Sequence, residues 1–276
     1  PGLAFAISLG LYVVGLAILA TVRTTWSPSG AEGSIGDEFR EGLAYVRVRP
    51  EMRIAFRLAF SVAGLGAVFA FSLAAGIADD LFARGGGGLG VLSTSLGVGS
   101  LLASAFISGR GGRMSRAVLE RRSVLLYGAG LLIVASSSWL GVGMFGYLLM
   151  GGAHMLHSTT LSTSLQLRVD EEFRGRVMSV FLVSVLSGIP IGGLVFGILG
   201  DLIGLRWVVL GAGLALCVDA VVTGRRGAFD LLDREGGPEV EVEVEPEIDQ
   251  AGAPTGGSAG PFADPTDSGD DRGSKR

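Results

Sequence analysis

The two histidines of the chain, His154 and His157, are the residues whose type and spacing point most directly to chemistry. They lie three positions apart, so they share one face if the segment is helical. The surrounding stretch is apolar, and an ionisable side chain near the middle of a membrane span is costly and usually functional. Since imidazole exchanges a proton near neutral pH, we expect a role in proton coupling or substrate contact. The alternative is a neutral pair that hydrogen-bonds across the bundle, beside Thr159, Thr160 and Ser162.

Metal and nucleotide chemistry are disfavoured by the composition. No carboxylate or cysteine accompanies the histidine pair in the sequence, as a zinc site would require, and Cys217 is the only cysteine. Lys275 is the only lysine, and no Gly-x-x-x-x-Gly-Lys-Ser/Thr loop occurs. We therefore expect no enzyme and no metal or cofactor site. We also expect no nucleic-acid partner.

Two further charged residues lie inside apolar stretches and join the candidates for substrate or proton coupling. Arg57 is one turn inside its stretch. It either extends its guanidinium to water at the cytoplasmic interface or contacts an anion in a cavity. Asp219 precedes Arg225 and Arg226 by six and seven positions. It is either an ion-pair partner near the interface or part of a proton relay.

These candidates are carried by seven apolar stretches, each about long enough to cross a bilayer, which requires roughly 17–25 residues. Only helices and closed barrels satisfy their backbone polar groups in lipid, so the pattern predicts an all-α, polytopic membrane protein with seven transmembrane helices. The last stretch is short, which leaves room for a start before Arg206. The predicted spans are Gly2–Val22, Ile54–Ala78, Gly87–Ile107, Ser123–Leu140, Met144–Leu165, Val177–Leu199 and Trp207–Thr223.

The arginines of the connecting loops predict the orientation, because Lys and Arg are retained on the cytoplasmic side of short loops. Fifteen arginines fall in alternate loops, and the opposite loops hold only Arg84 and Arg206. The first end of the chain is therefore expected outside, and the C-terminal tail in the cytoplasm. The fifteen are Arg23, Arg40, Arg47, Arg49, Arg53, Arg110, Arg113, Arg116, Arg121, Arg122, Arg168, Arg174, Arg176, Arg225 and Arg226.

The polar segments define the expected domain limits. Residues 23–53 read as a cytoplasmic linker with an amphipathic helix, which lies either on the membrane surface or beneath the bundle. Residues 54–223 form the expected six-helix bundle. The remainder, 224–276, ends in a stretch rich in acidic residues, Gly, Pro and Ser that cannot bury enough surface to fold. The tail is therefore expected to be disordered, with a partner-binding strand at Glu239–Glu245 as the alternative.

Four segments resemble the C-terminal half of a major facilitator superfamily transporter, in the branch related to enterobactin and macrolide exporters. The likeness covers Phe39–Val222, about two thirds of the chain. The four run in the family's order and lie at Phe39–Arg47 with Arg49-Pro50, Gly87–Leu92 with Gly97–Leu102, Asp170–Ser179, and Gly188–Gly193. By this resemblance the seven spans correspond to helices six to twelve of a twelve-helix fold. The chain then lacks the first five helices, which would be its partners in the same protein.

The resemblance also implies gating and packing roles. The loop after the third span keeps the family's Gly and Arg at Gly109 and Arg113 but lacks its Asp, which puts the gating latch in doubt. Four-residue glycine steps let helices approach closely, and Pro190 can bend its helix. These features fit a moving contact or static packing equally. The residues assigned to gating or packing are Gly109, Arg113, Arg174, Gly175, Arg176, Gly188, Pro190, Gly192, Gly193 and Gly197.

The function expected from these observations is secondary active transport. The resemblance implies proton-coupled efflux of a small amphipathic molecule, such as a drug, siderophore or metabolite, by alternating access. The partners would be this substrate, protons and the lipid bilayer, and the location would be the plasma membrane. Two alternatives stay open. They are a helical membrane scaffold or accessory protein without transport, and an intramembrane enzyme, for which the histidines alone supply neither a nucleophile nor a metal constellation.

Overall fold

A computed structural model describes residues 2–21 and 35–233, and the regular elements of these residues are all helices. The first part of the predicted linker, residues 23–34, and the acidic tail from residue 234 lie outside the described residues. Short helical turns at Ala74–Gly76, Ile77–Leu81, Gly111–Arg113 and Ala228–Leu232 join or follow the main helices. The main helices are α1 Gly2–Thr21, α2 Ile35–Val48, α3 Pro50–Phe71, α4 Gly85–Gly109, α5 Arg116–Ser136, α6 Leu140–Arg168, α7 Arg174–Ile203 and α8 Leu205–Arg225.

Membrane-spanning character is clearest in four of these helices. Helices α3, α4, α7 and α8 are each long and apolar enough to cross a bilayer. Helices α1, α5 and α6 do not meet that criterion over the residues described, so the count of seven spans stays a prediction. The predicted all-α polytopic class is confirmed. Helix α8 begins at Leu205, before Arg206, as the short predicted stretch allowed.

Helix α6 packs along both α4 and α5, and α5 packs in turn against α8. Glycines make the first of these approaches possible. A Cβ atom added at Gly99 would lie 1.9 Å from the carbonyl oxygen of Leu148, and one at Gly151 would lie 1.9 Å from that of Leu96. The two helix backbones are therefore in direct contact, which only residues without a side chain allow.

Helix α3 is irregular in its second half. Ala63–Ala67 has π-helical hydrogen bonding, and such a bulge often marks a functional position in a helix. The buried hydroxyl of Tyr147 on α6 donates a 2.9 Å hydrogen bond to the carbonyl oxygen of Phe69. The continuous span predicted over Ile54–Ala78 therefore consists of a helix that ends at Phe71 and two short helical turns.

The amphipathic helix predicted in the linker is α2, and it packs against α7 and α3. Tyr45 and Val46 are buried. Gly42 faces α7 so closely that a Cβ atom there would lie 2.9 Å from the carbonyl oxygen of Arg176. Glu41 completes the contact with a 3.0 Å ion pair to the Arg176 guanidinium. The contacts of α2 thus fit a place beneath the bundle.

The turn that follows α8 is fastened to two other helices. Phe229 and Leu232 are buried, and the Arg168 guanidinium at the end of α6 donates hydrogen bonds to the carbonyl oxygens of Leu231 and Leu232. Asp233 accepts hydrogen bonds at 2.7 and 3.2 Å from the first backbone N–H groups of α5. A carboxylate at this position satisfies donors that a helix start leaves unpaired.

Helix α7 differs from its neighbours in how little of it is covered. Only 11% of its most apolar 18-residue window is buried, against 56% for α3. Large exposed side chains such as Leu186, Leu194 and Leu202 follow one another along it. An exposed apolar helix of this kind is stable only against lipid or another protein segment.

Candidate functional site

The structure joins two of the predicted site residues directly. The Arg57 guanidinium on α3 donates hydrogen bonds to the Asp219 carboxylate and the Thr223 hydroxyl, both on α8. The Ser61 hydroxyl donates to the other Asp219 oxygen at 3.3 Å. The side chain of Asp219 is 18% exposed and that of Arg57 is 43% exposed. This ion pair therefore lies at the edge of the protein interior and is uncovered on one side.

The predicted pairing of Asp219 with Arg225 or Arg226 is replaced by this contact between helices. Arg226 lies seven residues beyond Asp219, which is about two helical turns and roughly 10 Å along the axis. Thr223 lies one turn beyond it, on the same face as Asp219. That face is turned toward α3, so the guanidinium that reaches Asp219 comes from the neighbouring helix.

His157 has a carboxylate partner that sequence reasoning missed. Its Nδ1 lies 2.6 Å from Oε1 of Glu120 on α5, and both residues are buried. The Ser123 hydroxyl donates a 2.7 Å bond to the Glu120 carbonyl and lies 3.4 Å from the carboxylate. Glu120 sits just before the apolar stretch that starts at Ser123, among loop arginines, so its charge alone gave no reason to place it inside the protein. We call Glu120 and His157 the buried pair.

The buried pair places two ionisable groups inside the protein. Two ionisable groups are taken out of water at considerable cost, which is offset only when they remain paired and hydrogen-bonded. Because the Nδ1–Oε1 contact is a hydrogen bond, a proton lies between imidazole and carboxylate. Addition or loss of a further proton changes the net charge of the pair, so that pairing no longer offsets the cost of burial.

His154 lies in a different environment from His157, although the two share a helix face. Its ring packs edge-on against Phe71, with centroids 5.2 Å apart, and against Tyr127, with centroids 6.2 Å apart. The His154 Nδ1 and the Tyr127 hydroxyl are buried, and neither has a hydrogen-bond partner among the protein atoms of the described residues. The structure therefore places one histidine in the buried pair and leaves the other among aromatic rings of α3 and α5.

A groove of about 450 Å³ runs between α3 and α7. Arg57 and Ser61 lie at its polar end, and apolar side chains that include Phe60, Ile191 and Val195 line the rest. The groove therefore combines one charged group with a long apolar wall. That combination fits small-molecule sites, which are mostly apolar and carry few polar groups.

Two of the predicted packing glycines, Gly188 and Gly192, line this groove in the middle of α7. A Cβ atom at Gly192 would lie 2.7 Å from the carbonyl oxygen of Gly64, and one at Gly188 would lie 2.8 Å from the Cβ of Ala63. Gly193 would meet the Ser72 hydroxyl at 2.8 Å, and Gly197 has open space around it. These glycines and Pro190 belong to a helix that begins at Arg174.

The remaining predicted gating residues lie at the helix ends. Gly109 is the last residue of α4, and Arg113 belongs to the short turn that follows it. Arg174 and Gly175 open α7. Arg176 alone of these five makes an ion pair described here, with Glu41. The structure therefore does not bring the predicted gating residues together into one cluster.

Long apolar helices define the class of protein as a polytopic helical membrane protein. The chain belongs to the transmembrane secretion effector family (MFS_3), which matches residues 1–247. The family and the fold point to a transporter of the major facilitator superfamily rather than to an enzyme.

A solved structure shows the same fold. The crystal structure of the E. coli fucose:proton symporter FucP matches 78% of this chain with a TM-score of 0.56 and 18% sequence identity. The match covers 52% of the symporter chain, so this chain spans about half the length of that relative. No curated protein matches the chain.

Proposed function

We propose that the chain is the C-terminal half, with one preceding helix, of a twelve-helix secondary transporter in the plasma membrane. It would export a small amphipathic molecule in exchange for protons by alternating access. The family membership and the half-length match to a symporter fold support this assignment. The distribution of the loop arginines supports a cytoplasmic C-terminal end. The resemblance to enterobactin and macrolide exporters supports outward transport.

The observation that carries the coupling is the buried pair. Glu120 is fully buried and hydrogen-bonded to His157. Apolar contacts alone could hold the bundle together, and burying these two polar groups costs free energy. His157 lies within a predicted span, and intramembrane ionisable residues mark proton relays in transporters. Protonation of the buried pair from one side of the membrane, and release to the other, would drive the exchange. Arg57 would contact the substrate, and Asp219 would hold the guanidinium in position.

The test uses the complete gene product in an efflux-deficient host. Accumulation of a panel of fluorescent amphipathic compounds is followed with and without a protonophore, and across a range of external pH. Expression should lower accumulation, and the protonophore should abolish the effect. Glu120→Gln and His157→Gln should remove the pH dependence, because neither amide exchanges protons near neutral pH. Ser158→Ala is the matched control, since Ser158 is exposed beside His157 on the same helix.

Two results would change the proposal. Export that keeps its full pH dependence in both variants would remove the buried pair from the mechanism. No export of any compound, with the protein present in the membrane, would favour a scaffold or accessory role over transport.

A further inference from the structure

We infer that the groove between α3 and α7 binds a small amphipathic organic anion, with its acidic head on the Arg57 guanidinium and its apolar body along α7. This inference rests on the proposed transport function and assigns its substrate to a chemical class. It follows from the lining of the groove, the state of Arg57 and the position of Asp219.

The lining of the groove selects for an amphipathic molecule. Of the described residues that line it, Arg57 alone carries a charge, and Ser61 is its neighbour one turn away. The walls are aromatic and aliphatic, and they end in Val195 and Phe196 far from the guanidinium along α7. A ligand with one polar end and a long apolar body matches this order of groups.

The guanidinium is held in place and still has donors to offer. Arginine carries five N–H donors, and the hydrogen bonds to Asp219 and Thr223 use two of them. The side chain is 43% exposed, so its other donors are accessible from the groove. Because Arg57 is already ordered by α8, a carboxylate that binds it does not bear the entropy cost of fixing a long side chain. Charge-assisted bonds of this type are among the strongest in proteins.

The position of Asp219 distinguishes an anion from a cation. Asp219 bonds to Arg57 and Ser61 but does not itself line the groove. A cationic head in the groove would meet the guanidinium first and would be repelled by it. An anionic head would be attracted by Arg57 and weakly repelled by the carboxylate behind it. Asp219 should therefore hold Arg57 in position and at the same time limit the affinity for the anion.

The experiment measures equilibrium binding to the complete gene product in phosphatidylcholine nanodiscs, without a proton gradient. The probes are a dansyl-labelled undecanoic acid, its neutral amide and the corresponding amine. The acid should bind at least about tenfold more tightly than the amide, as the loss of a charge-assisted hydrogen bond implies, and the amine should bind most weakly. Asp219→Asn should tighten binding of the acid, because it removes the competing charge and keeps an acceptor for Arg57.

Two matched pairs of variants distinguish a loss of the site from a loss of the fold. Arg57→Gln alone leaves Asp219 without its cation, so the double variant Arg57→Gln/Asp219→Asn keeps the site neutral and should lose the preference for the acid. Ile191→Trp should block the groove, because Ile191 lines it and is 53% exposed. Ile198→Trp is its control, since Ile198 lies two turns along the same face, is 54% exposed and does not line the groove.

Equal affinity for the acid and the amide would overturn the inference, as would a double variant that keeps the preference. Loss of acid binding when the protein is placed in nanodiscs that contain phosphatidylglycerol would also overturn it, because the occupant of the groove would then be a lipid headgroup. Since binding is measured without a gradient, selective binding without export would leave the site standing and reject the transport proposal. Proton-driven export with no preference for the acid would support the transport proposal and reject the anion site.

Discussion

The Tyr45 hydroxyl donates a 3.0 Å hydrogen bond to the Asp170 carboxylate, across 125 positions of sequence. The backbone N–H of Asp170 returns a 3.2 Å bond to the Tyr45 oxygen, and Arg49 donates to the same carboxylate at 3.2 Å. The Arg49 guanidinium also lies 3.6 Å over the Tyr45 ring. Burial raises the pKa of the Tyr45 hydroxyl above its ordinary value, so it stays protonated and remains a donor. Helix α2 is thereby attached to the loop between α6 and α7.

Tyr45→Phe should loosen α2 from the bundle. The change removes one hydroxyl that both donates and accepts, and a net loss of about 1 kcal/mol is expected. The measurements are thermal unfolding of the purified protein and its rate of limited proteolysis within α2. Tyr12→Phe is the control, because Tyr12 is 80% exposed on α1. Equal proteolysis of the two variants would show that the hydroxyl does not hold α2.

The buried pair should show strong coupling in a double-mutant cycle. His157→Leu alone leaves a buried carboxylate unpaired, and such a loss costs about 3–5 kcal/mol. The double variant His157→Leu/Glu120→Met removes both charges and should recover most of that free energy. The measurement is the free energy of unfolding in mixed micelles. Additive effects of the two changes would mean that Glu120 and His157 do not interact.

Alanine should have opposite effects at two glycines of α4. At Gly99 the new Cβ would lie 1.9 Å from the Leu148 carbonyl oxygen, so α4 and α6 must separate, at a cost of about 1–3 kcal/mol or more. At Gly97 nothing lies within 4 Å, so helix propensity should make alanine stabilising by up to about 1 kcal/mol. Melting temperatures of the two variants give the test. Matching shifts would contradict the close approach.

The segment after α8 should contribute to stability through Asp233. Asp233→Ala removes the acceptor for two N–H groups at the start of α5, and such a change costs about 0.5–2 kcal/mol. A chain that stops after Arg226 should lose more, because the buried Phe229 and Leu232 are removed as well. The melting temperatures of Asp233→Ala and of the chain that stops after Arg226 are compared with that of a chain that stops after Asp233. Asp230→Ala is the control, since Asp230 is exposed in the same turn.

The sequence predicts the elements of this fold better than the contacts between them. Apolar stretches and flanking arginines locate the helices, and the mixed pattern of residues 36–53 predicts α2. The rotation of each helix about its axis is set by packing, so no periodicity shows that Asp219 faces Arg57. Glu120 was missed for a related reason. It lies one turn before the apolar stretch, and only the full extent of α5, which starts at Arg116, places it opposite His157.

Screening by ions will act very differently on two of the acid–base contacts described above, Arg49 with Asp170 and His157 with Glu120. The Arg49 and Asp170 side chains are 29% and 62% exposed, whereas those of His157 and Glu120 are 8% and 0% exposed. At physiological ionic strength the Debye length is about 8 Å, and dissolved salt weakens exposed pairs while buried ones are largely protected. A rise in salt concentration therefore loosens the attachment of α2 to the loop between α6 and α7. It leaves the buried pair largely unaffected.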